Sequence, residues 1–116
     1  MKLDSVVAIL PVENFEPARA WYTRLFGRVA DVEPMEGTAE WQIADKAWIQ
    51  VSVDAEAAGR TSVVIGVENL DETAESLKAA GIEVGDITEY PGVVKTLGAS
   101  DPAGNTVTFV QELAGK

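Results

Sequence analysis

Val6-Val7-Ala8-Ile9-Leu10-Pro11-Val12-Glu13-Asn14 is answered half a chain later by Ser62-Val63-Val64-Ile65-Gly66-Val67-Glu68-Asn69. Each stretch is a run of β-branched and aliphatic residues that ends in the same Val-Glu-Asn tripeptide. Each leads into a helix-like segment that stops at a glycine, Gly27 in the first copy and Gly81 in the second. The chain therefore reads as two copies of one strand–helix–strands module. A unit of that size buries too little surface to stand alone, so the copies must pack together. The space beside or between paired modules is where function is expected.

Composition narrows the chemistry. The 116 residues fit one domain, 1–116, and 47% are apolar. No apolar run approaches the roughly 18 residues of a membrane span, and the N-terminus shows strand-like alternation rather than a leader's apolar core. A net charge of −10 argues against nucleic acid and anionic membranes as partners and would draw a cationic ligand in. There is no cysteine, which suits the cytoplasm and removes thiol chemistry. There is no histidine either. Ser–His–Asp and Cys–His catalysis are thereby excluded, and any metal site would have to be built from carboxylates and amides.

The spacing of Phe15, Ala18, Tyr22, Leu25 and Phe26 predicts a helix over 14–26, with Asn14 as N-cap and Pro17 in its first turn. The second helix, 70–80, carries Leu70, Ala74 and Leu77 on its apolar face, and Asn69 and Glu72 stand at capping-box spacing. Three strand candidates follow each helix: 28–34, 38–44 and 47–54, then 82–88, 93–100 and 105–112. They are parted by turn-formers such as Glu36-Gly37 and Asp101-Pro102-Ala103-Gly104-Asn105. The segment from Asp54 to Gly59 reads as a linker. The expectation is an α+β fold of two tandem βαβββ modules, 1–54 and 61–116, with curved mixed β-sheets and helices on one side.

Pro11-Val12-Glu13-Asn14-Phe15 leading to Trp21-Tyr22 and Leu25-Phe26-Gly27 resembles the first strand exit and helix of the vicinal oxygen chelate superfamily, which contains glyoxalase I, extradiol dioxygenases and bleomycin resistance proteins. Asp101-Pro102-Ala103-Gly104-Asn105 before Thr106-Val107-Thr108-Phe109 is similar to that superfamily's final turn and strand. The resemblance implies four metal-ligand positions, which fall here on Val7, Gln50, Ser62 and Thr108. Only Gln50 could bind a metal directly, and one neutral amide does not hold a divalent cation. The expectation is no metal and no cofactor.

Alternation on residues 47–54 turns Ile49, Val51 and Val53 toward the helix and Trp48, Gln50 and Ser52 toward the cavity. The same reading places Ser62, Val64, Thr106, Thr108, Val7 and Ile9 on the cavity side. The expected ligand-binding residues are Trp48, Gln50, Ser62, Thr108, Trp41 and Val7, where Trp41 depends on the register of its strand. Among the carboxylates, Asp31, Glu33, Glu36 and Glu40 on the first hairpin are candidates to rim a groove for a cation. No catalytic residue stands out. The resemblance to the bleomycin resistance proteins, with these residues, implies a non-catalytic homodimer that binds a small organic molecule, cationic or aromatic, with antibiotic sequestration as one use. The alternatives are a metal-independent isomerase, lyase or cyclase using Glu40 or Tyr90, and a pairing or regulatory module without ligand.

Overall fold

A computed structural model describes residues 1–113. The last three residues of the expected second module lie outside them. Two sheets of four strands form, one per half of the chain. The first holds β1 (Val6–Val12), β2 (Val32–Met35), β3 (Thr38–Ala44) and β4 (Ala47–Val53) in the order β1-β4-β3-β2. The second holds β5 (Ser62–Gly66), β6 (Thr88–Tyr90), β7 (Val94–Ser100) and β8 (Thr106–Glu112) in the order β5-β8-β7-β6. In each, the first strand runs parallel to the last and the other pairs are antiparallel. Helices α1 (Phe15–Phe26) and α2 (Leu70–Ala79) connect the first and second strands of their modules. The two βαβββ modules are thus as expected.

The helix starts differ for a stated chemical reason. Asn69 Oδ1 accepts the Glu72 backbone N–H at 3.1 Å, the bond that an N-cap makes to the third helical residue. Asn14 occupies the matching position before α1 but its side chain caps nothing. The third helical residue there is Pro17, which has no N–H to give. At the other ends, Gly27 and Gly81 take φ of 73° and 79°, the left-handed conformation that closes a helix most cheaply with glycine.

Two strands are shorter than the sequence suggests. Residues 28–31 do not join β2, because the Arg28 guanidinium takes the Gln42 carbonyl and Asp31 Oδ2 takes the Gln42 N–H. Side chains there satisfy the backbone groups a ladder would have used. Residues 82–87 do not extend β6, because Ile82 is still closing α2 through a bond to the Leu77 carbonyl and is buried. Gly85 then makes a single bond, 3.0 Å, to the Gly98 carbonyl.

Both helices cover one face of the sheets, α1 against β4 and α2 against β7 and β8. Leu10, Val12, Ala39, Ile49 and Val51 line that face in the first module, and Leu97, Ala99, Val107 and Phe109 in the second. A buried polar cluster ties the halves together. Asp101 Oδ1 accepts the backbone N–H groups of Ala103, Gly104 and Asn105 at 2.8–2.9 Å, as its turn requires. Its Oδ2 accepts the Tyr22 hydroxyl of α1 at 2.7 Å and the Asn105 amide at 2.9 Å. That amide also donates to the Pro11 carbonyl of β1 at 2.7 Å, and its oxygen accepts the N–H of Thr61, just before β5, at 3.0 Å. The linker passes so close that a Cβ on Gly59, whose φ is +80°, would lie 2.3 Å from the Ala103 carbonyl oxygen. No helix among the described residues is long and apolar enough to cross a membrane.

Candidate functional site: the helix-free faces of the two sheets

The faces turned away from the helices carry the candidate site. Strand pairing sets Val7 beside Trp48 and Trp48 beside Gln42. The next row along is Ile9, Gln50, Glu40 and Val32. In the second sheet the corresponding rows are Ser62, Thr106 and Ser100, then Val64, Thr108 and Gly98. The structure therefore brings Val7, Trp48 and Gln50 onto one open face and Ser62 and Thr108 onto the other. The repeat holds at this level too: Gln50 is diagonal to Val7 as Thr108 is to Ser62.

These faces are not closed within the chain. Val7, Ile9 and Val64 are 45%, 49% and 66% exposed, values that a sheet folded over them would not allow. Trp48 and Gln50 are partly buried among their neighbours. Ile49 and Val51 are buried on the helix side, whereas Val53, expected with them, sits at the strand end and is 49% exposed. The chain is a slab of 43 × 41 × 25 Å with both open faces available.

Trp41 is corrected. It pairs with Ile49, on the helix side, and has no exposed surface. Its indole N–H donates to the Arg28 carbonyl at 2.9 Å, and its ring lies 6.0 Å from Tyr22 and 5.7 Å from Phe26. A side chain enclosed by α1 cannot meet a ligand on the other face.

The first hairpin's carboxylates separate into different roles. Glu33 faces α1 and pairs with Arg19 at 3.0 Å. Asp31 pairs with Arg28 at 2.6 Å, and that guanidinium, with the Gln42 N–H, holds the Asp31 carboxyl below its usual range. Glu36 lies in the turn between β2 and β3. Glu40 is the one that reaches the open face, where its Oε2 accepts the Gln50 amide at 2.7 Å. The sequence offers it only as one of four carboxylates that could rim a groove for a cation, because its side, like that of Trp41, depends on the β3 register. Gly98 and Ser100 were missed, having no motif to mark them.

The four positions aligned with superfamily metal ligands do not fit a metal. They supply an alkyl group, an amide and two hydroxyls, and the amide is engaged by Glu40. Among the described residues no group of three or more His, Cys, Asp or Glu is gathered to hold an ion. A depression of about 610 Å³ lies at the second open face beside Gly85, Gly98, Ser100 and Thr106. A larger groove of about 690 Å³ runs beside α1, off both open faces. Its Glu16, Arg19 and Glu33 already satisfy one another, which leaves few groups convergent on a ligand.

The sequence profile of the Glyoxalase/Bleomycin resistance protein/Dioxygenase superfamily matches residues 2–109. The chain belongs to this superfamily. Among solved structures, a glyoxalase/bleomycin resistance protein from Catenulispora acidiphila is 27% identical with a TM-score of 0.89, over 94% of this chain and 98% of that one. TnmS3, an antibiotic binding protein from a Streptomyces species, superimposes with a TM-score of 0.79 at 18% identity, over 97% of this chain and 98% of its own. A lactoylglutathione lyase from Agrobacterium tumefaciens has a TM-score of 0.77 at 18% identity, over 91% of each chain. The last two likenesses are of fold alone. No curated protein sequence matches significantly.

Proposed function

We propose that this superfamily member binds a small organic molecule with a flat apolar part and does not transform it, in a cavity closed when two copies meet. The observation that carries the reading is the open face of the first sheet. It presents Trp48 flanked by Val7, Ile9 and Gln50, and the positions that would hold a catalytic metal are occupied by residues that cannot. An indole with aliphatic neighbours and a few hydrogen-bonding groups describes a binding surface. Exposed Val7, Ile9 and Val64, together with the unpaired outer edges of β1 and β5, favour a homodimer in which a second copy covers them. The antibiotic-binding neighbour makes sequestration of such a compound the role that fits best.

Native mass spectrometry of the isolated protein should find a dimer without a stoichiometric transition metal. A monomer at tens of micromolar, or one zinc, nickel, iron or manganese per chain retained through dialysis, would overturn the reading.

Trp48→Ala should weaken binding of a polycyclic aromatic compound about tenfold or more, since stacking adds on the order of 1 kcal/mol beyond the area the ring buries. Ligand should quench tryptophan fluorescence in the parent and much less in the variant. Equal affinities for parent and variant would remove Trp48 from the site.

A further inference from the structure

Among the described residues, the charge that the strands themselves carry on the open faces is of one sign. No strand of the first sheet contains lysine or arginine, and Lys95, the cation of the second sheet's strands, is turned to Asp71 of α2 at 3.4 Å. Arg19 and Arg28 stand with α1 and its following loop and are paired there with Glu16, Glu33 and Asp31. Lys46 sits in the β3–β4 turn with Asp4 at 2.9 Å. Glu40 is different. It lies mid-strand in β3, partly buried, between Val32 and Gln50. The one hydrogen-bond partner of its carboxylate among the described residues is a neutral amide.

That amide bond has a direction. Gln50 spends an N–H on Glu40 Oε2, so Gln50 Oε1 and the second Glu40 oxygen are both left as acceptors. Trp48 is two residues along β4 from Gln50 on the same face, a separation of about 7 Å. The face thus sets two acceptors, one of them ionised, a short distance from an indole. Covering it with a neutral compound would strip water from the carboxylate and return nothing. A protonated nitrogen would restore the lost solvation with a charge-assisted hydrogen bond.

We propose that Glu40, oriented by Gln50, is the charge-selecting residue of this site, and that the ligand is a flat aromatic compound bearing a protonated nitrogen on or next to its ring system. The inference rests on the reading of the Trp48 face as a binding surface. Glu40 acts by holding the cationic group while Trp48 holds the ring. A ligand with an anionic substituent is rejected by the same carboxylate.

The test uses three tricyclic probes of similar outline at neutral pH: 9-aminoacridine as the cation, acridone as the neutral compound and anthracene-9-carboxylate as the anion. Equilibrium titrations are run on the parent, Glu40→Gln, Glu33→Gln and Trp48→Ala. The parent should prefer 9-aminoacridine over acridone by about tenfold or more, the worth of one charge-assisted hydrogen bond. Glu40→Gln should abolish that preference, weakening 9-aminoacridine and raising acridone affinity, since no carboxylate is then desolvated. Glu33→Gln removes the same formal charge from the helix side and should preserve the preference, which separates a local anchor from general attraction to an acidic protein. Trp48→Ala should weaken every probe that the parent binds. Equal binding of cation and neutral probe by the parent, or a preference that survives Glu40→Gln, would overturn the role of Glu40 while leaving the Trp48 site standing. Binding unaffected by Trp48→Ala, or no saturable binding of any probe, would instead remove the site itself and this inference with it.

Discussion

Asp101→Ala should cost about 3–5 kcal/mol of folding stability, a large share of the roughly 5–15 kcal/mol that a domain of this size commands. The side chain accepts five hydrogen bonds while only 5% exposed. Its loss would take that acceptor from the Ala103 and Asn105 N–H groups, the Tyr22 hydroxyl and part of the Asn105 amide, while the Gly104 N–H keeps its bond to the residue 101 carbonyl at 3.0 Å. Tyr22→Phe removes a single bond from the same cluster and should cost about 1–2 kcal/mol. Urea denaturation followed by circular dichroism would rank the two; an Asp101→Ala protein within about 1 kcal/mol of the parent would show that the cluster does not hold the modules together. The cluster also has a pH signature. Burial, and then the Asp101 carboxylate, push the Tyr22 phenol far above its ordinary range. A raised folded-state value means the native protein keeps a proton that the unfolded chain gives up. The stabilisation is therefore complete below about pH 10 and declines as pH rises above it, and Tyr22→Phe should flatten that decline.

Trp41→Ala should cost about 3–5 kcal/mol, the range for truncating an enclosed large aromatic side chain. The indole is fully buried, touches the rings of Tyr22 and Phe26, and uses its N–H on the Arg28 carbonyl. Trp48→Ala, one strand position from the Trp41 pairing site and so on the opposite face, should cost about 1 kcal/mol or less, because that ring keeps exposed surface. Thermal or chemical unfolding of the two variants side by side checks the contrast. A larger loss from Trp48→Ala would invert the assignment of the two sheet faces and with it the whole open-face site.

The features legible in the sequence are those set by near neighbours. β4 shows this well. Ile49 and Val51 alternate with Trp48 and Gln50, and in the folded chain the first pair is buried and the second lies opposite. β3 carries a similar alternation, apolar Ala39, Trp41 and Ile43 against polar Glu40 and Gln42, but the pattern alone does not fix which neighbours each residue meets. Its register had to be supplied by pairing with β4, which turned Trp41 inward and Glu40 outward. Val53 shows the limit of alternation from the other side, because a strand end leaves a correctly oriented side chain uncovered. The shortened β2 and β6 have a related cause: the chain before each finds closer partners, Gln42 for Arg28 and Asp31, and the Leu77 carbonyl for Ile82.

The sequence by itself determined the doubled βαβββ plan, the helix starts and stops, the alternation of β4 and β8, and a residue set at the superfamily's ligand positions unsuited to a metal. Each follows from composition or from residues a few positions apart, where periodicity, capping and turn chemistry operate. Only the tertiary structure decided that Trp41 is core, that Glu40 meets Gln50 on the open face, and that Asp101 is bonded to Tyr22, 79 residues away. It also showed both open faces left uncovered within one chain. These outcomes depend on strand register and on how two modules dock, and both are settled by contacts between residues that no local pattern connects.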